Sequence, residues 1–109
     1  MEEGSKMQLS DYDRRQLGRI LATLDRYQND ELPIDALISG VDALIAALET
    51  KDSDFRSSLQ QEWWTLEVAY ASALDKGRMP FDGNDRKNIE PALVRLRKIV
   101  SADAVTEYE

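Results

Sequence analysis

Helical hydrolases that depend on metal ions hold them with several inward-facing Asp or Glu residues at i, i+3 or i+4 on facing helices. Acids are abundant in this 109-residue chain, with 21 Asp and Glu against 14 Lys and Arg. Their spacing does not fit that chemistry. The i, i+3 acidic pairs are Glu49 with Asp52 and Asp82 with Asp85, both at expected helix ends, and Glu62 and Glu67 diverge on a helix. Asp82-Gly83-Asn84-Asp85 is too short for a calcium loop and lacks its terminal glutamate. The chain has no histidine and no cysteine, so the commonest general base, thiolate ligands and disulfides are all absent. No catalytic, cofactor-binding or metal-binding residue is therefore assigned, and the chain is read as a non-enzyme that needs no cofactor.

The acids instead form a field. Between Tyr27 and Asp75 ten of them, Asp30, Glu31, Asp35, Asp42, Glu49, Asp52, Asp54, Glu62, Glu67 and Asp75, face two bases, Lys51 and Arg56. That segment alone carries −8, while the whole chain carries −7. Asp35, Asp42 and Glu49 recur every seven residues and fall in one line on a helix. A solvated face is the plain reading. A cationic partner is the sharper one, because a one-sign surface repels itself while it attracts positive surfaces and repels nucleic acid.

Two further groups invite a reading. Trp63 and Trp64 point about 100° apart on a helix, so one can fill the core while the other anchors a partner; burial of both between helices is the alternative. Arg86, Lys87, Arg95, Arg97 and Lys98 suggest a phosphate backbone, yet they lie beside the acidic segment and outside any recognition-helix context. Pairing with the chain's own acids, or solvation, accounts for them. The candidate partner-binding residues are thus Asp30, Glu31, Asp35, Asp42, Glu49, Asp52, Asp54, Trp63 and Trp64, with a protein as the partner and neither nucleic acid nor membrane.

These residues need a scaffold, and the apolar periodicity supplies an all-α one: a single-domain antiparallel four-helix bundle over residues 9–102. Residues 1–8 are expected to be a disordered or appended leader, with Met7 as the original start, and 103–109 an acidic tail. Helices are expected near 11–28, 33–49, 54–76 and 84–101. Ser10 caps the first, with Asp13 in the place of a capping-box partner, and Leu17, Ile20, Leu21, Leu24 and Tyr27 form its stripe. Pro33 suits the first position of the second helix, whose Ile34, Leu37, Ile38, Val41, Leu44, Ile45 and Leu48 keep heptad spacing. Gly40 marks a close crossing there. Asp52 or Ser53 caps the third helix, which ends at Lys76-Gly77. That helix has two apolar stripes, one through Leu59, Trp63, Leu66, Tyr70 and Ala73 and one through Trp64, Val68 and Ala71, which predicts a central helix with partners on both sides. Pro91 either kinks the last helix or precedes its start; the kink is favoured. Leu21, Leu24, Leu37, Val41, Leu44, Leu66, Tyr70, Leu93 and Leu96 are expected to be buried.

The segments Gln60-Gln-Glu-Trp-Trp-Thr-Leu-Glu67 and Pro91-Ala-Leu-Val-Arg-Leu-Arg97, with the size, acidity and helical patterning of the chain from Leu9 to Val100, resemble the small immunity proteins of bacterial contact-dependent growth inhibition and related polymorphic toxin systems. The resemblance implies a cytoplasmic protein, free as a monomer or weak homodimer, that binds one cognate toxin, often a nuclease, and blocks its positively charged cleft. The alternative is a self-associating structural or adaptor domain with no toxin partner.

Overall fold

A computed structural model of the chain describes residues 9–75 and 83–105. The leader 1–8, the connection around Pro80 and the end of the tail lie outside the described residues. Four helices make up the structure: α1 (Asp11–Gln28), α2 (Ile34–Ala47), α3 (Ser53–Asp75) and α4 (Gly83–Val105). α1 packs on α2 and α4, and α3 packs on the same two neighbours, so the helices form a ring in which α1 faces α3 only across the core. The bundle is antiparallel.

α1 and α3 begin where the sequence offers an acceptor. The Ser10 hydroxyl accepts from the Asp13 N–H at 3.0 Å, and the Asp52 carboxylate accepts from the Phe55 N–H at 3.0 Å. Asp52 rather than Ser53 is therefore the cap of α3. Pro33 is extended and stands just before α2 rather than inside it. Asp30 adopts a left-handed φ of 62°, a conformation aspartate tolerates better than most residues, and turns the chain from α1 toward α2.

The heptad pattern of α2 is the core pattern: Ile34, Leu37, Ile38, Val41, Ile45 and Leu48 are buried. They meet Leu17, Ile20, Leu24 and Tyr27 from α1, Phe55, Leu59 and Leu66 from α3, and Ile89, Ala92, Leu93, Leu96 and Val100 from α4. Leu21, Leu44 and Tyr70, expected inside, are half-buried at the margin. A β-carbon added at Gly40 would sit 3.6 Å from Thr23 Cγ2, so α1 and α2 approach closely there but leave ordinary room.

The expectation for α3 fails for a physical reason. α3 is not a central helix: in a ring each helix has two neighbours on one side, so its stripe of Phe55, Leu59, Leu66 and Ala73 is buried while Trp64, Val68 and Ala71 face outward. α4 runs through Pro91 as one element, in line with the favoured reading of the last helix, and does not start at that residue. Pro91 and Lys87 are both exposed, so the Lys87 carbonyl, which loses its partner at Pro91, can be met by water. α4 also reaches Val105, a little beyond the boundary expected at 102.

Candidate functional site

Asp35 and Asp42 lie on the outer surface of α2, but the helix ends at Ala47 and Leu48 is extended, so Glu49 stands just past the helix and the expected helical line of three acids stops at two. Glu31, Asp35, Asp42, Glu49 and Asp54 are all exposed, and none of these five has an ion pair among the described residues. Of the two bases in the acidic segment, Lys51 is exposed and Arg56 is engaged elsewhere. Arg56 donates to the Leu48 carbonyl at 2.8 Å and the Ile45 carbonyl at 3.4 Å, satisfying the end of α2. On α4, Arg86 pairs with Asp30 at 2.7 Å, Arg95 with Glu62 at 3.0 Å, and Arg97 with Asp25 at 2.8 Å. Lys87 and Lys98 remain exposed. Three of the five bases on α4 are thus held by the chain's own acids, and Asp35, Asp42 and Glu49 are among the acids that none of them meets.

Asp30 and Asp52 differ from the other candidates, since each already has structural work. Asp30 holds Arg86, whose guanidinium also lies 5.0 Å from the centre of the Tyr27 ring, and this carboxylate makes the guanidinium more basic than usual. Asp52 caps α3. The remaining acidic candidates carry no such duty.

The two tryptophans divide as adjacent helical residues must. Trp63 donates its indole N–H to the Ile38 carbonyl at 2.9 Å and packs against the core, pinning α3 to α2. Trp64 is 59% exposed, with its ring centroid 6.2 Å from that of Trp63 and tilted by 47°. Between them and α2 opens a groove of about 390 Å³ lined by Asp42, Ile45, Ser57, Gln60, Gln61, Trp63 and Trp64. Val68, at 47% exposed, continues the apolar surface along α3.

One residue whose second role sequence reasoning missed is Asp13. Expected as the capping-box partner of Ser10, it does give its N–H to the Ser10 hydroxyl, but its side chain is 1% exposed and its Oδ1 accepts from the Glu49 backbone N–H at 2.8 Å. It therefore fixes the backbone at Glu49, just past α2. A lone acid two residues inside a helix start gives no sign of a partner 36 positions away.

Among the described residues no group of acids is placed to hold a metal ion, and no helix is long and apolar enough to cross a membrane. Comparison with known protein families, with curated proteins and with solved structures finds no match to this chain.

Proposed function

We propose that this chain is a stoichiometric protein inhibitor of the immunity or antitoxin type, which binds a cognate cationic toxin, a nuclease domain in the first instance, and blocks its active cleft. The observation that carries this reading is the unanswered charge of Asp35, Asp42 and Glu49, of which Asp42 lines one groove with the exposed Trp64. Lysines and arginines that hold a phosphate backbone would meet carboxylates instead. Long-range attraction would speed encounter, and a desolvated anchor such as Trp64 would set the dissociation rate. An inhibitor of this kind works in the cytoplasm of the cell it protects.

The test uses the toxin domain encoded beside this chain's own gene. Replacing Asp35 and Asp42 by Asn and Glu49 by Gln should slow association by about tenfold or more at low salt, with the melting temperature unchanged or higher, because exposed like charges add little stability. Unchanged association kinetics would return these acids to solvated surface. The lack of any neighbouring toxin, or an equimolar complex that leaves the toxin active, would remove the reading altogether.

A second reading, a structural domain that self-associates, is favoured by the outward Trp64, Val68 and Leu74 on α3. Salt separates the two. Inhibitor association should slow as ionic strength rises, whereas apolar self-association should hold or strengthen.

A further inference from the structure

The groove between α2 and α3 has a chemistry more specific than a charged face. Its base is fixed: the Ile38 carbonyl that accepts the Trp63 indole N–H lies one helical turn before Asp42, so the bond holds α3 against the very turn of α2 that presents the carboxylate. Ile45, one turn further on, supplies an apolar floor. Trp64, largely exposed on the side away from Trp63, lines the opening together with Gln60 and Gln61. A carboxylate without an ion pair, an aromatic face and an apolar floor converge on a space of about 390 Å³, within the roughly 300–1,000 Å³ range of small-ligand sites.

We infer that this groove receives an arginine side chain of the partner protein, with the guanidinium stacked on the Trp64 ring and hydrogen-bonded to the Asp42 carboxylate. Arginine fits where lysine does not. Its planar head stacks on an aromatic face while its fork of N–H donors engages a carboxylate, and its aliphatic stem lies on apolar surface such as Ile45. Among the described residues Arg56, an arginine of this neighbourhood, does not fill the groove, because it is bound to the carbonyls that end α2. The inference rests on the inhibitor reading, since it names the side chain that the partner inserts.

The test follows the two indole N–H resonances of the full chain by nuclear magnetic resonance while N-acetyl-arginine amide is added, with the citrulline and lysine counterparts as controls. The arginine probe should shift the Trp64 signal in a saturable way at millimolar concentration. Trp63, its N–H committed to Ile38, should move little. The lysine probe should bind several-fold more weakly and the uncharged citrulline probe about tenfold more weakly or not at all. Asp42→Asn should weaken the arginine response by about tenfold while leaving the spectrum otherwise folded. Equal responses to arginine and citrulline, or an Asp42→Asn chain that responds like the original, would overturn the assignment. So would a Trp64 signal that shifts with protein concentration alone, which would show a second copy seated there. A neighbouring toxin still bound with unchanged affinity by a Trp64→Ala chain would overturn the groove and leave the inhibitor reading intact. A toxin that fails to bind at all would do the reverse, because the probe measures the groove without it.

Discussion

Asp13 gives the sharpest test of how the candidate surface is supported. Its carboxylate is enclosed where α1 begins and accepts the Glu49 N–H at 2.8 Å, so it ties the start of α1 to the segment just past α2. A hydrogen bond to a charged acceptor is worth about 1.5–3 kcal/mol, and a buried amide left without a partner costs about 1–3 kcal/mol. Asp13→Ala removes the bond but also lifts the desolvation cost of the carboxylate, so the net loss should be about 1.5–3 kcal/mol. In a domain of this size each kcal/mol is worth about 4–8 °C, so the melting temperature should fall by about 6–24 °C. Asp13→Asn keeps an oxygen acceptor without the charge and should lose about half as much. Glu49→Ala should be near neutral, since Glu49 contributes its backbone and its side chain is exposed. Thermal and urea unfolding followed by circular dichroism gives all three values. Amide exchange adds a local readout, in which the Glu49 N–H should lose protection in Asp13→Ala beyond the change in global stability. A loss below about 0.5 kcal/mol, or a Glu49→Ala chain as damaged as Asp13→Ala, would refute the backbone bond as the source of the effect.

Other outcomes follow from single positions. Gly18 lies mid-helix in α1 with open space where a β-carbon would stand, so Gly18→Ala should raise stability by about 0.5–1 kcal/mol in denaturant unfolding. Leu66→Ala, at a fully buried position, should cost about 2–5 kcal/mol, and Leu44→Ala, at a half-buried one, clearly less in the same assay. The Tyr27 hydroxyl is buried without a hydrogen-bond partner among the described residues, and burial raises its pKa above the ordinary value. A raised folded-state pKa gives stability that is complete below about pH 10 and lost as pH rises further, because the unfolded chain then ionises first. Tyr27→Phe should thus flatten the alkaline limb of a stability–pH profile and, by removing an unpaired hydroxyl, leave stability at neutral pH equal or about 1 kcal/mol higher.

The four helices could be read from the sequence because caps and periodicity agreed: Ser10 and Asp52 accept the first free N–H groups, and the heptad of α2 is its buried face. Which apolar stripe of α3 would be buried could not be read, since Leu59, Leu66 and Ala73 carry the same period as Trp64, Val68 and Ala71. Only the number of neighbours in the ring decides between them. The candidate surface was legible as composition but not as bookkeeping of charge. Nothing local shows that Asp25, Asp30 and Glu62 would take the arginines of α4 while Asp35, Asp42 and Glu49 would be left without counter-charges. The second role of Asp13 was missed for a related reason, as its partner is a backbone N–H and leaves no trace in residue type.

The ring has a consequence for how the molecule can be handled and tethered. Arg97 of α4 meets Asp25 while Arg86 meets Asp30, so α4 climbs as α1 descends, and Asp11 and Val105 come to the same end of the bundle. The seam between α1 and α4 is, in a ring, diametrically opposite the α2–α3 groove. Joining Leu9 to Val105 by a short flexible linker and reopening the chain elsewhere should preserve the fold, as ends that lie close together commonly permit. A fluorophore or surface anchor attached at Asp11 should leave the Trp64 face pointing away from the support, whereas a partner fused there would have to reach around the width of the bundle to occupy it.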